Sequence, residues 1–471
     1  MKWMVLFTIG VLSVQAQNQL GLRTSNYSGV NAILLNPSSF HSAPLRWDIN
    51  LVSAGTFAYN QFIYLQNTSA LQLVGNKSSF APLTTLSIEA QSAANTIYYN
   101  YFDQHQAFSQ SINAFVTGPS VQLRVGKLSM GLFTNSRLAF SAARIDEQLD
   151  YYSLNDWGLG ETMQMAPFTI ASMAWAEVGI NAATTLKSNL KRKVLVGATL
   201  KYLVGFEGSY FRNTQSSTLT RADDNIYQYD GSPIEYAYTS AFTGENIGHN
   251  GSGFSTDIGF TYIQKSKDSK PYQWKLGASL IDIGFIQFTT GSQKQRYTNE
   301  QDVNIEPSII NSSNLNEISS GLSTQVYNDA NKSQVSERFT IATPSAFSFQ
   351  FDYALHPYWF LNTVVNRRLN LSSVSIAREN FWSASVRYES TWLEVGLPVV
   401  LYDDRHLRVG TWVRLWMFTI GSDHINSLLF KQRQFAGSDI YLSLRLNPHN
   451  LYFKRSKGSK MPSRSFENCY F

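Results

Sequence analysis

The chain has 471 residues, a formal net charge of +5, 14% aromatic and 15% charged residues, and a single cysteine. Soluble proteins of this size usually carry about a quarter charged residues, and a small, scattered positive charge does not describe a nucleic-acid surface. One cysteine, Cys469, three residues from the end, excludes internal disulfides, cysteine zinc clusters and CxxC redox chemistry by count.

Residues 1–16 read as a secretory signal peptide. Lys2 is the positive start, Trp3 to Leu12 form a short apolar run, and Val14 and Ala16 are the small residues before a cut at Gln17. The apolar run is too short for a spanning helix. Residues 17–45 hold few strand signals and many small polar residues. Within them Pro37 lacks a backbone donor and pushes Asn36 toward an extended or turn conformation. This segment reads either as a packed N-terminal plug in a barrel mouth, with Asn36 and Pro37 as its motif, or as a plain lead-in.

From residue 46 to residue 447 the chain alternates. Residues 46–65 carry Trp47, Ile49, Leu51 and later Phe57 and Tyr59; residues 119–126 and 128–142 form a hairpin around Gly126-Lys127. Residues 168–186 read as one long strand despite Glu177 and Asn181. In residues 193–206, Val194, Val196, Ala198, Leu200, Tyr202, Val204 and Phe206 oppose Lys193, Gly197, Thr199, Lys201 and Gly205. Residues 272–280 set Tyr272, Trp274, Leu276, Ala278 and Leu280 against Gln273, Lys275, Gly277 and Ser279. The pattern is cleanest in residues 346–355, where Phe347, Phe349, Phe351, Tyr353 and Leu355 share one face and Ser348, Gln350 and Asp352 the other. Residues 382–389 and 440–446 repeat it. Strands send successive side chains to opposite sides. An aromatic face opposite a polar face suits a closed sheet with lipid outside and water inside. Runs of about nine to fourteen residues are the length a tilted membrane strand needs.

The stretches between are polar. Residues 208–251 read as strand extensions above the membrane or an external loop, and residues 300–340 as a long external loop. His356-Pro357 and Asp403-Asp404 read as turns. Residues 448–471 form a basic tail with Lys454, Arg455, Lys457, Lys460 and Arg464, either a solvated end or a contact for a periplasmic partner.

Two blocks carry a family resemblance. Asn26-Tyr27-Ser28-Gly29-Val30 through Leu35-Asn36-Pro37-Ser38-Ser39, followed by Trp47-Asp48-Ile49-Asn50-Leu51, resembles the opening of a Bacteroidetes outer-membrane family of unknown function, DUF5723. Gly421-Ser422-Asp423-His424 and Gly437-Ser438-Asp439-Ile440-Tyr441-Leu442-Ser443-Leu444-Arg445 resemble its end. The resemblance implies a barrel similar to FadL-type transporters, with fourteen strands and the segment around Asn36-Pro37 in or near a lumenal plug. Related proteins of that phylum, PorV-like barrels among them, serve type IX secretion and gliding.

No GxSxG, HExxH, Walker or Rossmann pattern occurs, and the seven histidines are not paired at metal-ligand spacing. The sequence thus indicates no cofactor, no metal and no catalytic residues. Lys201, Glu207, Asp352, Arg387, Glu389, Arg408, Arg414 and Arg445 fall on the predicted lumen face. An ionised group facing lipid costs roughly 2–4 kcal/mol, so these point inward, as a selectivity lining or as ion pairs filling a narrow barrel. The reading is an all-β, transmembrane antiparallel β-barrel of about fourteen strands in the bacterial outer membrane. Its neighbours would be outer-membrane lipid and a small hydrophobic molecule that it binds or passes. The alternatives are a structural component of a secretion or gliding complex, with a protein partner, and a lipolytic enzyme in the barrel wall. The first expects an apolar pocket beside the plug, and the second a sealed lumen.

Overall fold

The computed structural model describes residues 19–75, 79–82, 96–102, 108–146, 158–223, 226–231, 233–239, 248–298, 303–305 and 314–451. The signal peptide and the basic residues of the tail lie outside them.

Fourteen antiparallel staves close into a barrel. They are β1 (Trp47–Asn60), β2 (Phe108–Thr117 and Ser120–Val125), β3 (Leu128–Ile145), β4 (Phe168–Ser188), β5 (Arg192–Asn213), β6 (Ile234–Tyr238 and Gly251–Gln264) and β7 (Trp274–Phe288 and Gln293–Tyr297). They continue as β8 (Gln334–Ser336, Phe339–Ala342 and Ala346–His356), β9 (Trp359–Arg368), β10 (Phe381–Glu389), β11 (Leu393–Tyr402), β12 (His406–Val409 and Thr411–Leu415), β13 (Phe418–Ser422) and β14 (Asp439–Leu446). Each pairs with its sequence neighbours, and β1 closes the ring on β14, from Ile49 opposite Leu446 to Phe57 opposite Asp439. Closure leaves no unpaired edge to meet lipid.

The outer face is apolar all the way round. Leu132, Ile180, Leu200, Ile258, Leu280, Phe347, Leu361, Trp382, Leu397, Val413, Ile420 and Leu442, one from each of β3 to β14, are exposed. Exposed Trp359, Trp392 and Trp416 lie near one rim, the place for an interface girdle. At that rim five connections are short, 126–127, 189–191, 357–358, 390–392 and 416–417, and the sixth is 265–273. Asn189 secures one of them, its Oδ1 accepting from Lys191 N and Arg192 N at 3.0 and 2.8 Å. Connections at the other rim are mostly long, as on the extracellular side of such barrels. The exception is the tight turn at Asp403-Asp404, whose φ values of 44° and 59° are those of a hairpin turn with both central residues left-handed.

Stave length departs from the nine-to-fourteen-residue expectation. β13 has 5 residues, whereas β4 and β5 have 21 and 22 and run well past a bilayer on the long-loop side. Residues 208–251 follow the first of the two readings: they extend the staves, and Ser217–Asp223 and Ile226–Gly231 pair in a separate four-stranded sheet with Thr162–Met165 and Val303–Ile305. A second such sheet joins Gln432–Phe435, Ile63–Thr68, Thr96–Tyr101 and Ser79–Pro82. Residues 300–340 are not a plain loop, because they contain a helix, Leu315–Tyr327. Asn314 caps its start, accepting from Asn316 N at 2.9 Å, and Asn328 ends it at φ 60°.

Bulges shift the alternation at several positions. In β1 the register slips between Asn50 and Val52, so Trp47, Ile49 and Leu51 face out while Phe57 and Tyr59, of the same parity, face in. In β5 the slip between Gly205 and Glu207 lets Gly208 and Tyr210 continue the inner face. Glu207 therefore leaves the lumen row assigned to it and is held by Thr239 and Asn250 where β6 is interrupted. Tyr272 also departs from expectation. It precedes the first residue of β7 and turns inward, with its ring 4% exposed.

Candidate functional site

Residues 19–45 fold inside the barrel as three single-turn helices, α1 (Leu20–Arg23), α2 (Val30–Ile33) and α3 (Ser39–Ser42). The segment has its first turn beside the outer end of β13, where Leu20 N donates to Asp423 at 3.1 Å. It descends to the short-turn rim, where Arg124 donates to the Ala43 carbonyl at 2.8 Å. Helices this short have no stability of their own; the wall supplies it.

The wall holds the plug through three charged clusters and carries a fourth beside it; together they include every lumen residue named above except Glu207 and Arg408. Asn26 donates to Glu389 at 2.7 Å and accepts from Lys275 at 2.5 Å. Behind them Arg387 bridges Asp352 and Glu389, and Tyr272 donates to Asp352 at 3.0 Å. Ser25 donates to Glu394 at 2.6 Å, and Glu394 also receives Arg414 at 3.1 Å and the Trp412 indole at 2.8 Å. Asp48 accepts from Val30 N at 2.8 Å and lies 3.5 Å from Arg445. Lys201 lies 2.8 Å from Asp257 and 2.6 Å from Asp282. These side chains are all buried or nearly so, so each charge has an opposite charge or hydrogen bonds beside it. They pack against plug and neighbours rather than edging an open passage.

Asn36 and Pro37 form a corner pressed into a glycine-lined dent of the wall. Gly197, Gly259 and Gly277 stand on β5, β6 and β7, and Gly197 pairs directly with Gly259. A Cβ on Gly259 would sit 2.2 Å from Asn36 Oδ1 and 2.7 Å from Pro37 Cδ; one on Gly197 would sit 2.6 Å from the Pro37 carbonyl carbon. Asn36 donates to Gln350 at 2.9 Å and to the Phe260 carbonyl at 3.1 Å, while its Oδ1 accepts from Ser38 N and Oγ at 3.0 and 2.8 Å. The Pro37 carbonyl accepts from Asn181 at 3.1 Å. Lower down, His41 meets Thr185 at 2.9 Å. Burial, with the charges of Lys193 and Arg124 nearby, lowers its imidazole to about 4.

A second segment, absent from the sequence reading, enters from the other side. The connection 369–380 folds inward and adds backbone bonds to β8, with Ala342 N donating to the Val374 carbonyl and Ile376 N to the Ala342 carbonyl, each at 3.1 Å. Its Arg378 reaches Asp282 at 2.5 Å. Asp282 is thus shared by Lys201, by Arg137 at 3.1 Å and by Arg378. Arg23 of the plug lines the same small cavity, about 20 Å³, as these groups and Glu177. The hint in the sequence was alternation, with Leu369 and Leu371 before Ser372-Ser373 and Val374 and Ile376 after it.

Above the plug the inner wall turns apolar. Phe57 and Tyr59 of β1, Phe115 of β2, Val364 of β9, Phe381 of β10, Val400 and Tyr402 of β11, Trp412 of β12 and Tyr441 of β14 pack with plug residues Leu20, Leu22 and Leu35. The Tyr402 ring lies 5.3 Å from Phe57 and 5.7 Å from Tyr59, and the Arg408 guanidinium sits 5.0 Å over Tyr59. A second apolar group joins Trp175, Leu203, Ile286, Phe288, Phe339 and Ile341 with Val374 and Ile376 of the inward connection.

Cavities beside the plug are small: about 60 Å³ between Asn26, Asn36, Lys275 and Asp352, with a lining of mixed polar and apolar surface. A separate apolar cavity of about 40 Å³ lies at the outer ends of β1 and β2, touching Tyr59, Ile112 and Phe435. Among the described residues one serine–histidine pair is hydrogen-bonded, Ser427 Oγ at 2.8 Å from His424 Nδ1. Ser427 has no exposed surface, so a lipid ester cannot reach it in this arrangement. Among the described residues no group of three or more histidine, cysteine or acidic side chains could hold a metal.

A family described as "Family of unknown function (DUF5723)" matches residues 40–423. No curated protein matches the chain. Among solved structures, the chain is similar to the toluene transporter TodX of Pseudomonas putida, with 9% identity and a TM-score of 0.37 over 89% of this chain and 94% of that one. It is also similar to the toluene transporter TbuX of Ralstonia pickettii, with 10% identity and a TM-score of 0.30 over 88% and 92%. A FadL homologue of Pseudomonas aeruginosa gives 9% identity and a TM-score of 0.23 over 88% and 94%.

Proposed function

The chain belongs to the DUF5723 family, a family of unknown function, and we propose that it is a plug-gated outer-membrane barrel that binds and passes small apolar compounds. The observation that carries this is the inner wall itself. A barrel for polar solutes has a polar interior, whereas a continuous aromatic and aliphatic cluster of this inner wall reaches down to the plug leucines. Apolar inward side chains gain nothing from a water-filled pore; they suit apolar solute.

The plug supports gating. Much of its hold on the wall is hydrogen bonding to charged side chains, which water can replace when the segment moves. The interior in this structure is closed, and a gated path opens by moving residues 19–45, the inward connection 369–380, or both.

The sealed interior also favours a second reading, a non-transporting component of a membrane complex. Purified, delipidated protein in mild detergent separates the two. Bromobenzene should quench tryptophan fluorescence saturably, with Trp412 the reporter, and Phe57→Ala with Tyr402→Ala should change the midpoint. Strictly linear, non-saturable quenching together with a stoichiometric co-purifying protein would reject the channel in favour of the complex.

A further inference from the structure

A cavity of about 320 Å³ opens on the long-loop side, outside the plugged interior. Its size falls at the low end of the roughly 300–1,000 Å³ of ligand sites. The ends of β3, β4, β5 and β9 form its walls, and residues 370–377 of the inward connection form its floor. Arg144, Arg212 and Arg368 line it, and no carboxylate does. The other lining groups are mostly hydroxyls and amides, Asn213, Thr214, Asn370 and Ser372 among them.

Two of the three arginines are not explained by ion pairing. Arg212 is partnered through Nε with Glu235 at 3.3 Å. Among the described residues, Arg144 and Arg368 have no carboxylate within ion-pair distance, and Glu379 and Asp403 act on Arg368 only from further away. Three guanidinium groups around one wet cavity repel each other mildly and hold a positive potential over it. Guanidinium forks match the oxygens of phosphate and sulfate in paired hydrogen bonds, and the hydroxyl and amide rim can pair with a polyol.

We propose that this vestibule binds a phosphate or sulfate ester carried on a compact, hydroxyl-rich body such as a hexose. The ester comes either from a free solute or from the phosphorylated sugar head of a glycolipid in the surrounding leaflet. The site is independent of the apolar lining, and its failure would leave that reading untouched.

Calorimetry on the full-length protein in detergent tests it, with glucose 1-phosphate, glucose, a phosphorylated glycolipid and the same glycolipid after dephosphorylation. The ester should bind about tenfold or more tighter than its dephosphorylated counterpart, and added salt should weaken it. Arg144→Gln with Arg368→Gln should abolish that difference, while the double lysine variant should keep part of it. Heat-modified migration on gels checks that each variant is folded. Binding of the soluble ester identifies a solute, and binding of the glycolipid alone identifies a headgroup; either carries the proposal. Equal binding of phosphorylated and dephosphorylated forms, absence of binding by both esters, or undiminished binding by the folded glutamine variant overturns it.

Discussion

Asn36 gathers donors and acceptors from a wall otherwise distant in sequence, and Gly259 leaves the room for it. Replacing Gly259 with valine places carbon where Asn36 Oδ1 and Pro37 Cδ now stand, 2.2 and 2.7 Å from the Cβ position. Overpacking of this kind costs about 1–3 kcal/mol. Here the corner can leave while the barrel stays intact. The expected outcome for Gly259→Val is a barrel that still shows heat-modified migration but whose plug is cut by trypsin at Arg23. Full protection of Arg23 in that variant would show that the corner does not position the plug. His41 gives the plug a pH dependence. Its folded value, about 4, lies below the ordinary value of 6.5, so the neutral form is the docked one. The docking contribution is complete above about 6.5 and is lost as pH falls through about 4. A nitroxide at Ser42→Cys, with Cys469→Ser, should gain mobility across that window, and His41→Gln should remove the transition. A transition that persists in His41→Gln would assign it to another group.

Among elements, Asp282 fixes the inward connection to a wall position that borders the plug, since Arg23 lines the same cavity. It sits at φ 55° in β7, opposite the slip between Thr256 and Ile258, so its carboxylate meets Lys201, Arg137 and Arg378 together. Removing it strands Arg378 and leaves Lys201 with Asp257 and Arg137 with Glu177 alone, and breaking a buried pair costs roughly 3–5 kcal/mol. Asp282→Ala should therefore expose both Arg23 and Arg378 to trypsin, whereas Asn36→Ala should expose Arg23 alone. Cleavage at one site only in Asp282→Ala would mean the two segments are not coupled. This coupling was not legible in the sequence. Alternation identified the staves because the period of two survives wherever one face meets lipid, and Lys201, Asp352, Arg387 and Arg445 could be read as inward-facing from it. Bulges interrupt that period, so Glu207 was misplaced by a slip of one residue. The helix at 315–327 was hidden by its serine content, yet Asn314 and Glu317 stand at capping-box spacing and Asn328 supplies the left-handed end. Its support is tertiary: Tyr236 and Tyr238 donate to Ser319 and Asn316, each at 2.9 Å. The meeting of Arg23, Asp282 and Arg378 joins residues from three distant parts of the chain, and no local pattern reports such an encounter.

For the molecule as a whole, the decisive arrangement is inverted solvation, apolar side chains outward in a continuous belt and paired charges inward. The two faces of β5 make the contrast within adjacent residues. Leu200 is 60% exposed on the outer face, while Lys201 is 2% exposed inside and ion-paired. In water the outward row would be a large aggregation surface; in a bilayer it is ordinary. A membrane barrel therefore makes a prediction that a soluble one does not. Leu200→Arg lies inside the belt, opposite Ile180 on β4 and Thr256 on β6, and should cost about 2–4 kcal/mol on folding into lipid vesicles. Leu190→Arg lies in the short turn, where the leucine is already 97% exposed, and should cost almost nothing. Urea titrations of refolding into phosphatidylcholine vesicles measure both. If the two variants unfold at the same urea concentration as the parent, position 200 does not face hydrocarbon. The belt, and with it the placement of every inward charge, would then have to be assigned to another solvent.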